Sequence, residues 1–282
     1  MPLFIIAFVG FIEKVGKNKL ELEIFNKKKI IIDINLIKII ILSLFSILLL
    51  FLIPSLTSAF VLGMTYLIVA IVKILKSGEK KIKNILKLFA LPFILTIILL
   101  TSITTGQYIA EKILISFKPE LDAAGSGWEG INRKIIINSA NLFGEAEDMS
   151  NAIELFDEGT SEAFISILAH YGWIPSIILV ATIILISIKL IINSIKVKDS
   201  YGKILIIGIS CLFILQSIFN VLQNLNLWIE ASFELPFVSY GGTGLIINIM
   251  CLALVLSIYR RKDIQIHTDA STEEKNYKIK IA

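Results

Sequence analysis

The stretch from which this chain is best interpreted reads Pro236-Phe237-Val238-Ser239-Tyr240-Gly241-Gly242-Thr243-Gly244. It lies between a polar segment and the last long apolar run, which ends at Tyr259. A proline and three glycines weaken a helix and free backbone groups that lipid cannot satisfy. A helix that only has to cross a membrane has no need of them at its mouth, so this stretch indicates a functional region.

The composition predicts an all-α, polytopic integral membrane protein, a helical bundle. Hydrophobic residues make up 56% of the 282 residues, and the mean hydropathy of +0.82 is high for a soluble domain. Apolar runs that approach the roughly 20 residues needed to cross a bilayer recur along the chain. They predict a short apolar element at 2–12 and six long transmembrane helices at 36–53, 59–75, 85–103, 164–195, 204–225 and 236–259. The run 164–195 is long for one crossing, so either its first turns lie in the interface or the helix tilts.

The basic residues predict the orientation of the chain. Most of them, 23 of the 27 Lys and Arg, lie in the segments 13–38, 73–87, 189–203 and 260–282. Because cytoplasmic loops carry the excess of Lys and Arg, these segments and the C-terminus are expected in the cytoplasm. The long acidic loop 104–162 and the short loop 226–235 are then extracytoplasmic.

The loop 104–162 is the first candidate for function, since helix connections in bundles usually have two to eight residues. Within it, Gly125-Ser126-Gly127-Trp128 predicts a turn with an aromatic anchor, and 131–137 predicts a short amphipathic element. A solvated acidic cap is the alternative interpretation. The predicted organisation is a membrane domain, 1–262, that includes this loop, followed by a flexible cytoplasmic tail, 263–282.

Glu162 is the second candidate, because it lies where the outer loop enters a membrane helix, beside Thr160 and Ser161. A carboxylate that is partly removed from water suits general acid or base chemistry. Alternatively, Thr160 or Ser161 caps the helix and Glu162 favours its positive end. The residue types alone favour the capping interpretation.

A row of amides is the third candidate. Gln216, Asn220, Gln223 and Asn224 follow the spacing i, i+4, i+7, i+8, which places them on one face of the helix 204–225. Amides in hydrocarbon need partners or a wet cavity. Either they hydrogen-bond neighbouring segments or they line a cavity, and the sequence leaves both interpretations open.

No metal site or disulfide is predicted from the residues. Cys211 and Cys251 lie in apolar runs and are expected to act as buried small hydrophobes. His170 and His267 are far apart in sequence and form no metal-ligand constellation. The chain also shows no motif for nucleic acid, so no nucleic-acid partner is expected.

These motifs resemble those of the SEDS family, the bacterial FtsW, RodA and SpoVE proteins of division, elongation and sporulation. The stretch 236–244 is similar to the family signature PFVSYGG-S-S. Gln216 and Asn220 are similar to the family's Q…N pair in the preceding helix. Three further segments resemble family motifs in the expected order: 53–59, 127–128 and 142–144.

The resemblance implies a peptidoglycan glycosyltransferase of the bacterial plasma membrane. Such an enzyme polymerises lipid II by transferring the growing glycan from undecaprenyl pyrophosphate to a sugar hydroxyl of another lipid II. A class B penicillin-binding protein is the implied partner. No cofactor is identified; a divalent metal would help to offset the pyrophosphate charge, but no ligand set is visible. The residues implied in substrate binding are Thr160, Ser161, Gln216, Asn220, Pro236, Ser239, Tyr240, Gly241 and Gly242.

One departure from the family concerns the catalytic acid. The family has an outer-loop Asp in an H-T-D-F-I-F context, and a count back from Gly172 without gaps places that Asp on Ser161. Glu162 is the next residue, and a step of one residue turns a helical side chain by about 100°. Glu162 is therefore hypothesised as the catalytic base on condition that the chain is not yet a regular helix there.

A second departure concerns length. The resemblance covers nearly all of this chain but only the C-terminal two thirds or so of a family member, so about three N-terminal helices are expected to be absent from it. A catalytically inactive scaffold or regulator of the cell-wall machinery is one alternative function, and a flippase of the lipid-linked precursor is another. The sequence does not distinguish division, elongation and sporulation.

Overall fold

The computed structural model of the protein describes residues 1–13, 19–24, 28–33, 38, 41–43, 45–46, 56–77, 105–146, 161–229, 233–263 and 277–280. Its longer helices are α1 (Pro2–Glu13), α2 (Leu56–Ser77), α3 (Thr105–Phe117), α4 (Trp128–Ser139), α5 (Ala163–Tyr171), α6 (Trp173–Ser194), α7 (Ser200–Asn224) and α8 (Gly242–Arg260). A short 3-10 helix, Pro119–Asp122, connects α3 to the turn before α4. Three short strands are β1 (Lys19–Ile24), β2 (Lys28–Asp33) and β3 (Tyr277–Lys280).

The bundle is built around α7. Within the described part of the chain, α6, α7 and α8 are long and apolar enough to cross a membrane. In their most apolar stretches, 72% of the residues of α7 are buried, against 17% in α6 and in α8. α7 packs against α1, α2, α5, α6 and α8, and its aliphatic and aromatic side chains form the core with those of α1 and α2. The predicted helical membrane bundle is confirmed.

The predicted long run 164–195 is two helices, because the chain breaks at Gly172. This residue has φ 87°, in the left-handed region that favours glycine. The outer loop packs against the break: the carbonyl of Asn141 accepts from the N–H of Trp173 at 3.0 Å, and the N–H of Gly144 donates to the carbonyl of Tyr171 at 3.0 Å. The first eight residues of the run therefore lie in α5, a nine-residue helix that is too short to cross a bilayer.

The prediction that Pro236 begins the last helix is wrong, because α8 begins at Gly242. The intervening residues form a turn, in which the carbonyl of Leu235 accepts from Val238 at 3.2 Å and from Ser239 at 3.0 Å. The Ser239 hydroxyl accepts from the N–H of Leu235 at 2.6 Å, and Phe237 has φ 67°. The residues from Pro236 to Gly241 thus form a turn that precedes α8. We call residues 236–241 the signature turn.

The small sheet was not predicted. β1 pairs antiparallel with β2 and parallel with β3, in the order β2-β1-β3, so that Leu20 lies opposite both Ile32 and Tyr277. The pairing joins the Lys-rich segment near the start of the chain to the predicted tail, 263–282. The boundary between membrane domain and tail stays a prediction.

Some predicted elements lie outside the described residues. These are the span 85–103 and most of the span 36–53. The predicted span 59–75 lies within α2 and the predicted element 131–137 lies within α4, so both segments are helical as predicted. That α2 crosses the membrane stays a prediction.

We expect Gly172→Ala to destabilise the protein. A Cβ at this position would lie 2.7 Å from the carbonyl oxygen of Asn141, in a backbone conformation that costs a side chain roughly 1–3 kcal/mol. Thermal unfolding in detergent, followed by tryptophan fluorescence, should show a lower midpoint. Gly10→Ala is the control, since the nearest atom to its added Cβ is 3.9 Å away. Equal midpoints for the two variants would contradict the constraint at Gly172.

Candidate functional site

The carbonyl oxygen of Ser161, just before α5, accepts three amides of α7. The side-chain nitrogens of Asn220, Gln223 and Asn224 lie 3.0, 3.2 and 2.9 Å from it. Asn220 also donates to the carbonyl of Phe233 at 2.6 Å. The amides share one face of α7, as predicted, and their nitrogens hydrogen-bond a neighbouring segment. Through Asn220 they join the end of the outer loop to the segment before the signature turn.

The amide oxygens on this face are less well satisfied. Those of Gln216, Asn220, Gln223 and Asn224 are buried and have no hydrogen-bond partner among the described residues. A buried acceptor without a donor costs roughly 1–3 kcal/mol, so the face retains a capacity to accept from water or from a polar ligand. The cavity interpretation of the amide row therefore stays open beside the hydrogen-bonding one.

Glu162 forms a buried ion pair with Arg133 of α4. Arg133 donates through Nε to Glu162 Oε2 at 3.0 Å and through Nη2 to Oε1 at 2.7 Å. Glu162 is 7% exposed and Arg133 is 3% exposed. This two-bond geometry is the strong form of a carboxylate–guanidinium contact. The sequence analysis missed Arg133, for which Glu129 four residues earlier on the same helix was the available signal.

The same arginine connects α4 to the end of α7. Its Nη2 donates to Glu129 Oε2 at 3.0 Å, and its Nη1 lies 3.4 Å from Asn226 Oδ1. Asn226 Nδ2 donates in return to the carbonyl of Gly130 at 2.7 Å. We call Arg133, Glu162 and Asn226 the arginine clamp, because together they hold the outer helix α4 against α5 and α7.

Glu162 itself is the N-cap of α5, although its side chain makes no capping hydrogen bond. The alternative in which Thr160 or Ser161 caps this helix is therefore wrong. The condition set for Glu162 as a base, a position before regular helix, is met by its φ of −93° and ψ of 13°. Its catalytic role stays a prediction. In the structure both of its carboxylate oxygens accept hydrogen bonds from Arg133.

A cavity of about 300 Å³ lies between α5 and the signature turn. We call it the α5 cavity. Its lining comprises Ala163, Ser166, Ile167, His170, Tyr171, Val238 and Tyr240. Two of its walls are exposed aromatic side chains, Tyr171 at 61% and Tyr240 at 83%. Concave sites with aromatic walls and a few polar groups are typical of ligand binding.

The other residues predicted in the site have structural positions around this cavity. Pro236 is buried, and Ser239 closes the signature turn through its hydroxyl. Gly241 is the N-cap of α8, and Gly242 is its first residue, with open space where a Cβ would lie. Thr160 lies outside the described residues. Tyr240 is the residue of the predicted set that lines the α5 cavity.

Glu234 is an acidic residue that sequence reasoning missed. A Cβ on Gly244 would come within 2.2 Å of its Oε2, so the carboxylate lies against the first turn of α8. A negative charge is favourable there, because the helix N-terminus carries a partial positive charge. The family signature has Ser where this chain has Gly244, and the glycine leaves the space that the carboxylate fills.

Within the described ranges, no group of three or more His, Cys, Asp or Glu residues could hold a metal ion. Cys211 and Cys251 are free thiols in α7 and α8. The donor set for a divalent metal is thus not assembled in this part of the chain.

Removing Arg133 should be strongly destabilising. Arg133→Met leaves the Glu162 carboxylate buried without a partner, which costs on the order of 3–5 kcal/mol. The double variant Arg133→Met/Glu162→Met should recover part of the loss, because no charge then remains buried. Both are measured by thermal unfolding in detergent.

The neighbouring Lys134→Met is the matched control for this experiment. Lys134 donates to Glu120 on the solvent side and lowers the pKa of that carboxyl, but both side chains are exposed. Exposed pairs contribute little to stability, so a much smaller change is expected. An effect of Lys134→Met as large as that of Arg133→Met would contradict the importance of the buried pair.

Comparison with known proteins identifies relatives that are named as peptidoglycan glycosyltransferases. The chain is 23% identical over 171 residues to the probable peptidoglycan glycosyltransferase FtsW of Trichlorobacter lovleyi, with 60% of this chain and 44% of the relative covered. It is 27% identical to the protein of that name from Geobacter sp. strain M18, with 71% and 54% covered. It is 24% identical to the peptidoglycan glycosyltransferase MrdB of Escherichia coli K12, with 55% and 43% covered. The chain spans about half the length of the curated relatives it matches.

One solved structure shares the fold. It is described as "Structural coordination of polymerization and crosslinking by a peptidoglycan synthase complex". Its chain matches with a TM-score of 0.60 at 18% identity, over 95% of this chain and 81% of that one. A model of the cell cycle protein family FtsW/RodA/SpoVE matches residues 5–264. The matched residues include the helical bundle, the loop 104–162 and the signature turn. This chain is therefore a member of the FtsW/RodA/SpoVE family of cell cycle proteins.

Proposed function

We propose that this protein is a SEDS-type peptidoglycan glycosyltransferase that polymerises lipid II in the bacterial plasma membrane. The observation that carries the proposal is the α5 cavity, one wall of which is the signature turn of the family. The names of the relatives, peptidoglycan glycosyltransferases, support it. The α5 cavity is thus a concave site beside the signature turn, and a concave site is what an enzyme needs to bind its substrate.

The reaction needs three things from the protein: a site for the sugar, an aligned acceptor hydroxyl and a base. The exposed rings of Tyr171 and Tyr240 offer flat apolar surfaces against which the C–H face of a sugar can pack. The polar side chains of Ser166 and His170 in the cavity lining can hydrogen-bond the acceptor hydroxyl. For the base, sequence reasoning proposed Glu162, and the arginine clamp occupies that carboxylate in the structure.

A catalytically inactive scaffold or regulator is the second candidate function. The observation that favours it is the same ion pair, since a buried carboxylate with both oxygens bound to Arg133 holds α4 in place and needs no reaction to explain it. In this alternative the outer helices form a docking surface for other cell-wall proteins. Polymer synthesis by the purified chain distinguishes the two.

The partner and the substrate are proposals of the same kind. A class B penicillin-binding protein would supply the crosslinking step. The solved chain of similar fold is described as part of a complex that coordinates polymerization and crosslinking, which supports such a partner. The outer surfaces of α6 and α8, which are mostly unburied, are available to lipid and to a partner helix.

The proposed orientation places 104–162 outside the cell and the C-terminus in the cytoplasm. Contacts between loops sort into two sets, which supports a consistent topology. In one set, Glu13 contacts Lys73 and Ser200, and the N–H of Lys198 donates to the carbonyl of Lys262. The arginine clamp belongs to the other set and joins the segments 104–162 and 226–235. None of these bonds joins a segment predicted in the cytoplasm to one predicted outside the cell.

The enzymatic proposal is tested by lipid II polymerisation with the purified chain, with and without a class B penicillin-binding protein. We expect wild type to form glycan polymer and Tyr240→Ala to form it on the order of tenfold more slowly, since an exposed ring of the cavity wall is lost. Tyr240→Phe, which keeps the ring, should stay close to wild type, and both variants should unfold at the wild-type temperature. Wild type without polymer would contradict the enzyme, and full activity of Tyr240→Ala would contradict the α5 cavity as its site.

The orientation is tested by labelling single cysteines in cells. The two native cysteines are first replaced by serine, and cysteine is then placed at Glu145 or at Asp263, both of which are exposed. A membrane-impermeant maleimide should label the cysteine at 145 in intact cells and the one at 263 only after lysis. The reverse pattern would contradict the proposed topology.

A further inference from the structure

We propose that His170 is the base of this site, accepting the proton of the acceptor hydroxyl on Nε2 within the α5 cavity. The inference rests on the proposed glycosyltransferase function and names the residue of this chain that serves it. It differs from the hypothesis of the sequence analysis, in which Glu162 had that role.

A backbone hydrogen bond within α5 sets the tautomer of His170. His170 Nδ1 lies 2.8 Å from the carbonyl oxygen of Ser166, one turn earlier in α5. A carbonyl oxygen only accepts hydrogen bonds, so the proton of this bond belongs to Nδ1. In the neutral imidazole Nε2 is then unprotonated and carries the lone pair. The backbone of α5 thus sets His170 in the form that a base requires.

His170 lies at the α5 cavity. His170 lies in the last turn of α5 and lines the α5 cavity together with Tyr171 and Tyr240. The rings of His170 and Tyr171 lie 6.3 Å apart between centroids. Of the seven residues that line this cavity, His170 alone has a basic side-chain nitrogen. In the described part of the chain Nε2 has no hydrogen-bond partner, so it is free for a substrate hydroxyl.

The carboxylate of Glu162 is engaged in the ion pair with Arg133. Both of its oxygens accept from Arg133, and it is buried at the start of α5. Eight residues separate it from His170, which is about 12 Å along a helix axis. The two side chains therefore cannot serve the same hydroxyl. Glu162 holds the arginine clamp and so positions α5, while His170 faces the substrate.

The transfer step balances with this assignment. The acceptor sugar oxygen attacks the anomeric carbon of the donor glycan, and a new C–O bond forms as the bond to the pyrophosphate breaks. Undecaprenyl pyrophosphate leaves with the electron pair of that bond. The hydroxyl proton passes to Nε2 of His170, and the imidazolium then returns it to water. General base catalysis of this kind typically contributes about 10²–10⁴-fold to a rate.

The activity test compares His170→Gln with His267→Gln in lipid II polymerisation. His267, the second of the two histidines, is in the predicted tail and serves as the matched control. We expect His170→Gln to lower kcat by about 10²–10⁴-fold, with KM within about threefold of wild type, and His267→Gln to behave as wild type. His170→Asn is the second variant, in case glutamine impairs folding as judged by thermal unfolding.

The outcomes separate the inference from the proposed function. Polymer from wild type at the same rate as from folded His170→Gln or His170→Asn would overturn the base role and leave the glycosyltransferase standing. No polymer from wild type would overturn both. Glu162→Gln is measured in parallel: a loss of kcat there without a change in unfolding temperature, with full activity in His170→Gln, would return the base role to Glu162.

A second readout does not depend on activity. In the His267→Gln protein, His170 is the one remaining histidine, so nitrogen NMR of ¹⁵N-histidine-labelled protein in nanodiscs reports its ring directly. We expect the tautomer with the proton on Nδ1 and a bare Nε2, with the Nε2 signal shifted when lipid II is added. The opposite tautomer, or an Nε2 signal unaffected by lipid II, would overturn the proposal.

Discussion

The backbone carbonyl of Ser161 joins the end of the segment 104–162 to the central helix of the bundle. It accepts amides from Asn220, Gln223 and Asn224 of the central helix α7. In hydrocarbon an unpaired polar group is costly, so the carbonyl and the three amide nitrogens satisfy one another where water is scarce. The bonds set the point at which α5 begins, and α5 in turn sets one wall of the cavity. The wall across from it, the signature turn, is tied to the same place because Asn220 also binds the carbonyl of Phe233.

The arginine clamp adds a charged contact directly beside this carbonyl. Glu162 follows Ser161 in the chain, and its carboxylate brings Arg133 and hence α4 onto the bundle. Burying two charges is costly, and the geometry offsets this by two short hydrogen bonds to Glu162 and by further partners for Arg133. A carboxylate engaged in this way is well suited to positioning.

Much of the site could be predicted from the sequence, though in separate pieces. The period of the amides put Gln216, Asn220, Gln223 and Asn224 on one face of a helix, and they are there. Their shared partner could not be predicted, because Ser161 is about sixty residues away and nothing local marks its carbonyl as an acceptor. The start of α8 was misplaced by six residues, since Pro236 is compatible both with a first helical turn and with the tight turn that Ser239 closes. His170 was considered as a metal ligand and was not proposed as a base, because the hydrogen bond that orients its ring lies within a helix whose end was not foreseen.

The sequence by itself determined that the chain is a helical membrane protein and which family it resembles. These properties follow from local composition, periodicity and short motifs, which need no knowledge of distant contacts. The tertiary structure decided which side chains meet: Arg133 with Glu162, α7 with Ser161, and α5 with the signature turn. Each of these contacts joins groups far apart in sequence, whose pairing depends on how the helices pack. The same packing pairs the carboxylate that the sequence had proposed as base with Arg133 and leaves the imidazole of His170 in the lining of the α5 cavity.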